Sequence, residues 1–249
     1  MIKLKRTKKA AGGAEAEPGT EVEGVEVDVE TAPADDLELA GDHLEPSEDE
    51  VFDDSKSAPE DRAEAGPLDE TEANPVRPYV DLGGVKILPR EGLHLRLEVE
   101  EGSKRVVAVG LDFAGSTLQV QPFAAPRSSG LWNEIREQIV EQVQRQGGRT
   151  TEVDGPFGPE VRAEIPVVSG DQGTTRVARF LGVDGPRWFL RGVVAGAATT
   201  DPEAAEAVED LFRSVVVVRG TTPMPPRDLI PLSMPKAAAT DGGAAPTQV

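Results

Sequence analysis

The stretch of residues 174–198 constrains the fold most strongly, because two strand-like runs flank a sharp turn. Each run is rich in β-branched and aromatic side chains, which suit a pleated, half-buried surface. Between the runs, the Asp-Gly pair at residues 184–185 supplies the positive φ angles that tight turns need, and Pro186 fixes the direction of exit. We therefore predict a β-hairpin whose strands are residues 176–183 and 187–195.

Four side chains of this hairpin are candidates for a binding surface: Arg179, Arg187, Trp188 and Arg191. The planar donor fork of arginine suits carboxylates and other anions. The alternative interpretation is that the arginines form a solvated sheet face and that Trp188 belongs to the core. An exposed Trp188 beside the arginines would favour a contact surface, whereas a buried Trp188 would mainly organise the fold.

The remaining pattern predicts an α+β fold, with a mainly antiparallel sheet packed by two helices. Alternating apolar residues predict strands at residues 85–88, 93–100, 105–111, 117–123 and 160–168. Apolar residues recur at helical spacing over residues 131–146, which predicts a helix with Ser128 or Ser129 as its N-cap. A second helix is predicted near Pro202, followed at residues 215–218 by a short buried strand or helix tail.

Charge and composition divide the chain into four parts. Residues 1–78 hold 23 acidic and 8 basic side chains, and they therefore carry most of the formal net charge of −19. Residues 10–74 contain too few apolar side chains to offset the entropy lost on ordering. We predict a disordered tail over residues 1–75 with a basic start and an acidic remainder, a folded α+β domain over 76–220, a proline-rich strap over 221–235 and a disordered tail over 236–249.

The acidic residues of the domain predict turns more readily than catalytic carboxylates. The tetrapeptide Val-Asp-Gly-Pro occurs at residues 153–156 and again at 183–186, and both copies are typical of turns. Asp154 and Asp184 are explained by this role, and the sequence alone brings no two carboxylates together. We therefore expect no catalytic residues.

Composition and spacing also weigh against cofactors and metals. The chain has no cysteine, which excludes disulfides, thiolate metal sites and cysteine nucleophiles and fits a reducing compartment. Its two histidines, His43 and His94, lack metal-ligand spacing, and no phosphate-binding loop or nucleophile elbow is present. We expect no cofactor and no metal.

Charge and hydropathy indicate the cellular compartment of the protein and the classes of partner that it can bind. No apolar run approaches the roughly 20 residues of a membrane span. The basic first nine residues lead into Ala, Gly and Glu rather than into the apolar core of a signal peptide. A near-neutral domain behind an acidic tail lacks the basic footprint of a nucleic-acid-binding protein. We therefore expect a cytoplasmic protein without a membrane span, and the charge disfavours nucleic acid as its partner.

Several segments together carry a family resemblance. They include residues 79–84 (YVDLGG), 118–127 (LQVQPFAAPR), 153–158 (VDGPFG) and 179–192 (RFLGVDGPRWFLRG). These segments resemble an actinobacterial family without a known function, the domain-of-unknown-function family 3710. The resemblance covers roughly residues 76–235 and implies a cytoplasmic actinobacterial protein. It implies no activity, ligand or site residues.

The order of the predicted elements is similar to that of small α+β domains of the PsbP and Mog1 type, a likeness of fold alone. Our first hypothesis is a non-enzymatic protein-interaction or adaptor domain with an acidic disordered arm and an unidentified protein partner. The second is a small-ligand-binding or enzymatic domain that uses the Arg/Trp face of the hairpin, and a weaker third is nucleic-acid association. A polar-lined pocket would favour a ligand, and an exposed apolar patch would favour a partner. The sequence makes no prediction of the oligomeric state.

Overall fold

The structure is a computed structural model that describes residues 53–169 and 172–235. The first 52 residues of the predicted acidic tail and the predicted tail at residues 236–249 lie outside the described residues.

The described residues form three α-helices and eleven β-strands. The helices are α1 (Arg62–Ala65), α2 (Trp132–Arg145) and α3 (Pro202–Arg213). The strands are β1 (Leu68–Asp69), β2 (Val80–Asp81), β3 (Val85–Ile87), β4 (His94–Val99), β5 (Val106–Phe113), β6 (Ser116–Ala124), β7 (Arg149–Gly155), β8 (Gly158–Ser169), β9 (Gln172–Asp184), β10 (Trp188–Gly196) and β11 (Val216–Val217).

Two sheets and two long helices build the layers. The large sheet is antiparallel, with the order β4-β5-β6-β10-β9-β8-β7. The small sheet has the order β1-β11-β3-β2, and its β1 runs parallel to β11. One face of the large sheet packs against α2, and the other packs against α3 and the small sheet. The predicted α+β class with a mainly antiparallel sheet is confirmed.

The predicted hairpin is present as β9 and β10, and it divides its apolar side chains between two cores. Successive residues of a strand point to opposite faces. Val183, Trp188 and Leu190 therefore join the core beneath α3 and the small sheet, whereas Phe189 joins the core beneath α2. Trp132 of α2 anchors that second core and is fully buried. The hairpin thus contributes to both sides of the sheet.

The other predicted strands and both predicted helices are also present, with small shifts at their ends. The sequence does not predict β7, because its residues, RTTEVDG, show no apolar alternation. Its place at the edge of the large sheet, paired with β8 alone, explains why it needs so little apolar surface.

The predicted N-cap of α2 is wrong. Neither Ser128 nor Ser129 caps the helix, which begins after Leu131 without a cap from a neighbouring side chain. The carboxylate of Asp184 accepts the Leu131 N–H at 2.8 Å and the Trp132 N–H at 3.4 Å. A side chain about fifty residues away in the chain therefore satisfies the free N–H groups at this helix start.

The folded part begins earlier than residue 76, where the sequence predicts it. Residues 53–75, here called the arm, pack along the domain and contain α1 and β1. The Ser57 N–H donates to Asp184 at 3.0 Å, and the Asp184 N–H donates to the Ser57 carbonyl at 2.8 Å. The Leu68 N–H donates to the Val215 carbonyl at 3.0 Å. The arm is held by polar contacts with distant residues, which its own composition does not reveal.

The proline-rich strap follows the domain surface back to the sheets. Leu229 forms a β-bridge with Phe123, and Leu232 forms β-bridges with Gly83 and Val106. Ile230 and Leu232 are buried and add to the core beneath the small sheet. The strap thus covers the part of β6 that β5 leaves unpaired.

The two Val-Asp-Gly-Pro copies allow a matched test of Asp184. Asp184→Ala removes the acceptor of three N–H groups, two of them on buried residues, and we expect a loss of about 1–3 kcal/mol or more in the free energy of unfolding. Asp154→Ala alters the exposed copy and should change the free energy of unfolding by no more than about 0.5 kcal/mol. Urea denaturation measures both values, and an equal effect of the two substitutions would contradict the role of Asp184.

The arm also predicts a pH dependence. Hydrogen bonds from Arg62 lower the pKa of Glu72 below its ordinary value of 4.5, and the two side chains form a bidentate pair at 2.7 and 2.8 Å. A carboxyl group whose pKa is lower in the folded state than in the unfolded state stabilises the fold at pH values above its ordinary pKa. This stabilisation is lost as the pH falls through the folded-state pKa. Wild type should therefore unfold at a higher temperature than Glu72→Gln near pH 7, with the gap closing in acid. Glu64→Gln, also in the arm, should show no such gap.

Candidate functional site

Trp188 lies in the core and not on a contact surface. Its side chain is fully buried, and its Nε1–H donates to Asp69 of the arm at 2.9 Å. The guanidinium carbon of Arg62 lies 5.7 Å from its ring centroid. A Cβ added at Gly185 would lie 2.1 Å from the ring, so the turn needs glycine at this position. Trp188 therefore fixes the turn and the arm.

Arg179 is a buried ion-pair residue. Its Nη2 lies 2.8 Å from Glu160 and 2.6 Å from Glu209, and its Nη1 donates to the Ala198 carbonyl at 3.2 Å. Burial alone would lower the pKa of Arg179, but its hydrogen bonds to both carboxylates raise it above the ordinary value. The cluster joins β8, β9 and α3, and its role is structural.

Arg191 is also buried, but it faces α2 rather than α3. Its Nε donates to the Gln121 side-chain oxygen at 3.0 Å, and its guanidinium carbon lies 5.7 Å from the Phe123 ring centroid. Burial lowers the pKa of Arg191 to about 10. Among the described residues no carboxylate forms an ion pair with it.

Arg187 is the predicted site residue that reaches an open cavity. This cavity, here called the cationic hollow, is lined by Lys56, Arg127, Pro186 and Arg187 and has a volume of about 360 Å³. Arg187 is half-buried, and its Nη2 donates to the Gly220 carbonyl at 3.1 Å. The hollow lies where the turn of the hairpin, the end of β6 and the arm meet.

The arm places Lys56 at the hollow. The Lys56 ammonium donates to the Pro186 carbonyl at 3.0 Å and to the Gly185 carbonyl. Burial lowers the pKa of Lys56, and the charge of Asp184 opposes this effect. Hydrogen bonds to backbone carbonyls restrict the positions of the Lys56 ammonium and of the Arg187 guanidinium.

The hollow combines positive charge with unused donor capacity. Within the described part of the chain, Lys56, Arg127 and Arg187 form no ion pair within 4.0 Å of a carboxylate. Arg127 is exposed, and its guanidinium can turn toward the cavity. Three such cations can bind a carboxylate or a phosphate through charge-assisted hydrogen bonds.

The four predicted site residues therefore separate. Arg187 lines the hollow, whereas Arg179, Trp188 and Arg191 lie within the two cores. Sequence reasoning missed Lys56, because it stands in a segment predicted to be disordered. It also missed Arg127, although that residue ends one of the segments that carry the family resemblance.

Other site types are absent from the residues that the structure describes. No group of three or more His, Cys, Asp or Glu side chains is placed to hold a metal ion there. No helix in the same residues is long and apolar enough to cross a membrane.

Fold and site together define a small α+β domain with a cationic surface cavity. The sequence model of a family described as "Protein of unknown function (DUF3710)" matches residues 66–241, and the chain belongs to this family. The resemblance found in the sequence is thereby confirmed at the level of the family. Arg127 and Arg187 lie inside the matched residues, and Lys56 lies outside them.

Comparisons with individual proteins add little. No curated protein matches the chain. The solution structure of cyanobacterial PsbP (CyanoP) from Synechocystis sp. PCC 6803 is similar, with 13% identity and a TM-score of 0.33. The similarity covers 54% of this chain and 87% of that chain. At this TM-score the likeness supports no conclusion about function.

Arg179 is buried and Arg187 is half-buried. We therefore expect their substitution to lower the free energy of unfolding by different amounts. Arg179→Ala leaves Glu160 buried without its main counter-charge, and we expect a loss of about 3–5 kcal/mol in the free energy of unfolding. Arg187→Ala removes one hydrogen bond at the surface and should cost less than about 1 kcal/mol. Urea denaturation of both variants checks this, and similar losses would contradict the structural assignment of Arg179.

Proposed function

We propose that this protein is a non-enzymatic protein-interaction domain that binds an acidic segment of a partner protein in the cationic hollow. One observation carries the proposal. Lys56, Arg127 and Arg187 surround an open cavity, and none of them forms an ion pair with a carboxylate among the described residues. Surface cations with unused donors at a concave position suit an anionic partner group.

The shape of the hollow favours a side chain of a partner over a free metabolite. Its volume of about 360 Å³ is near the lower end of the range for small-molecule sites. Such sites enclose most of their ligand with apolar walls, but Pro186 is the single apolar residue in this lining. A carboxylate that projects from a polypeptide needs only the rim of donors that this cavity offers.

The charge of the whole chain argues against nucleic acid as the partner. The formal net charge is −19, and a strongly acidic protein repels a phosphate backbone at long range. An acidic peptide meets the same repulsion, but physiological salt screens charges beyond about 8 Å. Close contacts in the hollow then dominate for a short peptide, whereas a long duplex would also meet the acidic surface.

The proposal retains two features expected from the sequence. The acidic residues that precede residue 53 would increase the solubility of the protein or contact basic partners. The lack of cysteine supports a cytoplasmic location, and the family resemblance supports an actinobacterial source. Neither feature is needed for binding in the hollow.

Fluorescence anisotropy with a labelled octaglutamate peptide tests the proposal, using the full chain in about 0.15 M salt. Arg127→Ala with Arg187→Ala removes two donors of the hollow. We expect its dissociation constant to rise at least about tenfold, which corresponds to about 1.4 kcal/mol. Arg105→Ala with Arg145→Ala removes the same charge from exposed positions elsewhere and should leave the affinity nearly unchanged.

Three results would overturn the proposal. The first is no binding of the peptide by wild type, and the second is an equal loss of affinity in the two double variants, which would indicate non-specific attraction. Tighter binding of a duplex DNA than of the peptide would assign the hollow to nucleic acid instead.

A further inference from the structure

Arg191 stands at a boundary on the face of the large sheet that packs against α2. It is paired with Gln121 of β6 on one side and with Gly182 of β9 on the other. The Trp132 ring fills the space above Gly182, where an added Cβ would lie 2.2 Å from a ring atom. Helix α2 packs over β7, β8 and β9. The part of the sheet face that α2 covers therefore ends beside Arg191.

Polar side chains continue this face beyond Arg191, over β6, β5 and β4. The Gln119 amide donates to Glu98, and Arg96 pairs with Asp112 at 2.8 Å. The side chains of Arg96 and Asp112 are 46% and 36% exposed, so solvent reaches this half of the face. Each of these charges already has an opposite charge or an amide as its partner.

Arg191 is the exception, because its charge is buried without a counter-charge. The residue is 8% exposed, and within the described part of the chain its guanidinium contacts the Gln121 oxygen and the Phe123 ring. Even with its pKa lowered to about 10, the side chain is charged at neutral pH. A buried, uncompensated charge costs free energy, and an apolar side chain would fill the same space without that cost.

The hydrogen bonds of Gln121 fix the direction of the guanidinium. The Gln121 Nε2 donates to the Val107 carbonyl at 3.0 Å, so its side-chain oxygen must face the other way, toward Arg191. That oxygen accepts from both Nε and Nη2 of Arg191. The remaining nitrogen, Nη1, finds no acceptor among the described residues.

Solvent still reaches that free nitrogen. In the described part of the chain, Arg219 Nε is the sealed side-chain nitrogen or oxygen atom that lacks a hydrogen-bond partner. Arg191 Nη1 also lacks a partner among the described residues but is not sealed, so solvent reaches this nitrogen. The result is a recessed, pre-oriented donor with an unbalanced positive charge, and donors that need no reordering bind more tightly.

We propose that Arg191 forms the floor of a second binding site, which takes a small oxyanion such as a carboxylate or a phosphate group. The oxyanion would supply the missing counter-charge and accept from Nη1 at the edge of the cover formed by α2. Arg187 stands four residues earlier, which places the cationic hollow about 13 Å away along an extended chain. The site is therefore separate from the hollow and does not depend on the proposed function.

Gln121→Glu gives a sharp test, because it keeps the size of the side chain and places a carboxylate against Arg191. The internal charge should occupy the guanidinium and weaken oxyanion binding at least about tenfold. Because Gln121→Glu also loses the hydrogen bond to the Val107 carbonyl, its far-UV circular dichroism spectrum and melting temperature check that it is folded. The readout is the side-chain Nε–Hε signal of Arg191 in the NMR spectrum of the full chain, assigned by its loss in Arg191→Lys. Inorganic phosphate and acetate are titrated separately as probes.

The proposal expects a saturable shift of this signal in wild type and in Arg187→Ala, and a much weaker response in Gln121→Glu. A response to both probes assigns a general oxyanion site, and a response to one of them assigns phosphate or carboxylate. Three results would overturn the proposal. They are no shift in wild type with either probe, an equal shift in Gln121→Glu, and loss of the shift in Arg187→Ala, which would place the anion in the hollow.

Discussion

The carboxylate of Asp184 is the contact on which the rest of the structure depends. It accepts the N–H groups of Ser57, Leu131 and Trp132, and so joins the arm, the start of α2 and the end of β9. Burial raises the pKa of Asp184 even though these hydrogen bonds oppose the effect. Because the arm is held here, Lys56 stands beside the turn of the hairpin. The cationic hollow is therefore a consequence of a buried structural contact.

The arginines of the hairpin show how position decides the role of a charge. Arg179 is buried between two carboxylates, and its ion pairs tie α3 to the sheet. Arg187 lies in the turn just before the chain enters β10, and its side chain is half-buried. Arg191 is buried beside an amide that offers an acceptor but no charge. Strand alternation places Arg179 and Arg191 on opposite faces of the sheet, whereas Arg187 lies in the turn between the two strands. Burial of the first two makes their charges costly.

The two Val-Asp-Gly-Pro segments separate local from tertiary causes. Each ends one strand and leads into the next strand of a hairpin, at β7 to β8 and at β9 to β10. The turn is therefore a local property of the tetrapeptide. Asp154 is nevertheless exposed and Asp184 is buried, because the arm and the start of α2 donate hydrogen bonds to the Asp184 carboxylate. The local sequence cannot distinguish the two copies.

The sequence by itself determined the α+β class, the antiparallel hairpin and the positions of most strands and of the two long helices. These features follow from alternation, helical periodicity and turn residues, which act over a few neighbouring positions. Tertiary structure alone decided that the arm is ordered, that Asp184 caps α2, and that Lys56 and Arg127 join Arg187. It also decided the burial of Trp188 and Arg191. These outcomes depend on polar contacts between residues up to 152 positions apart, and such contacts leave no periodic trace in the chain.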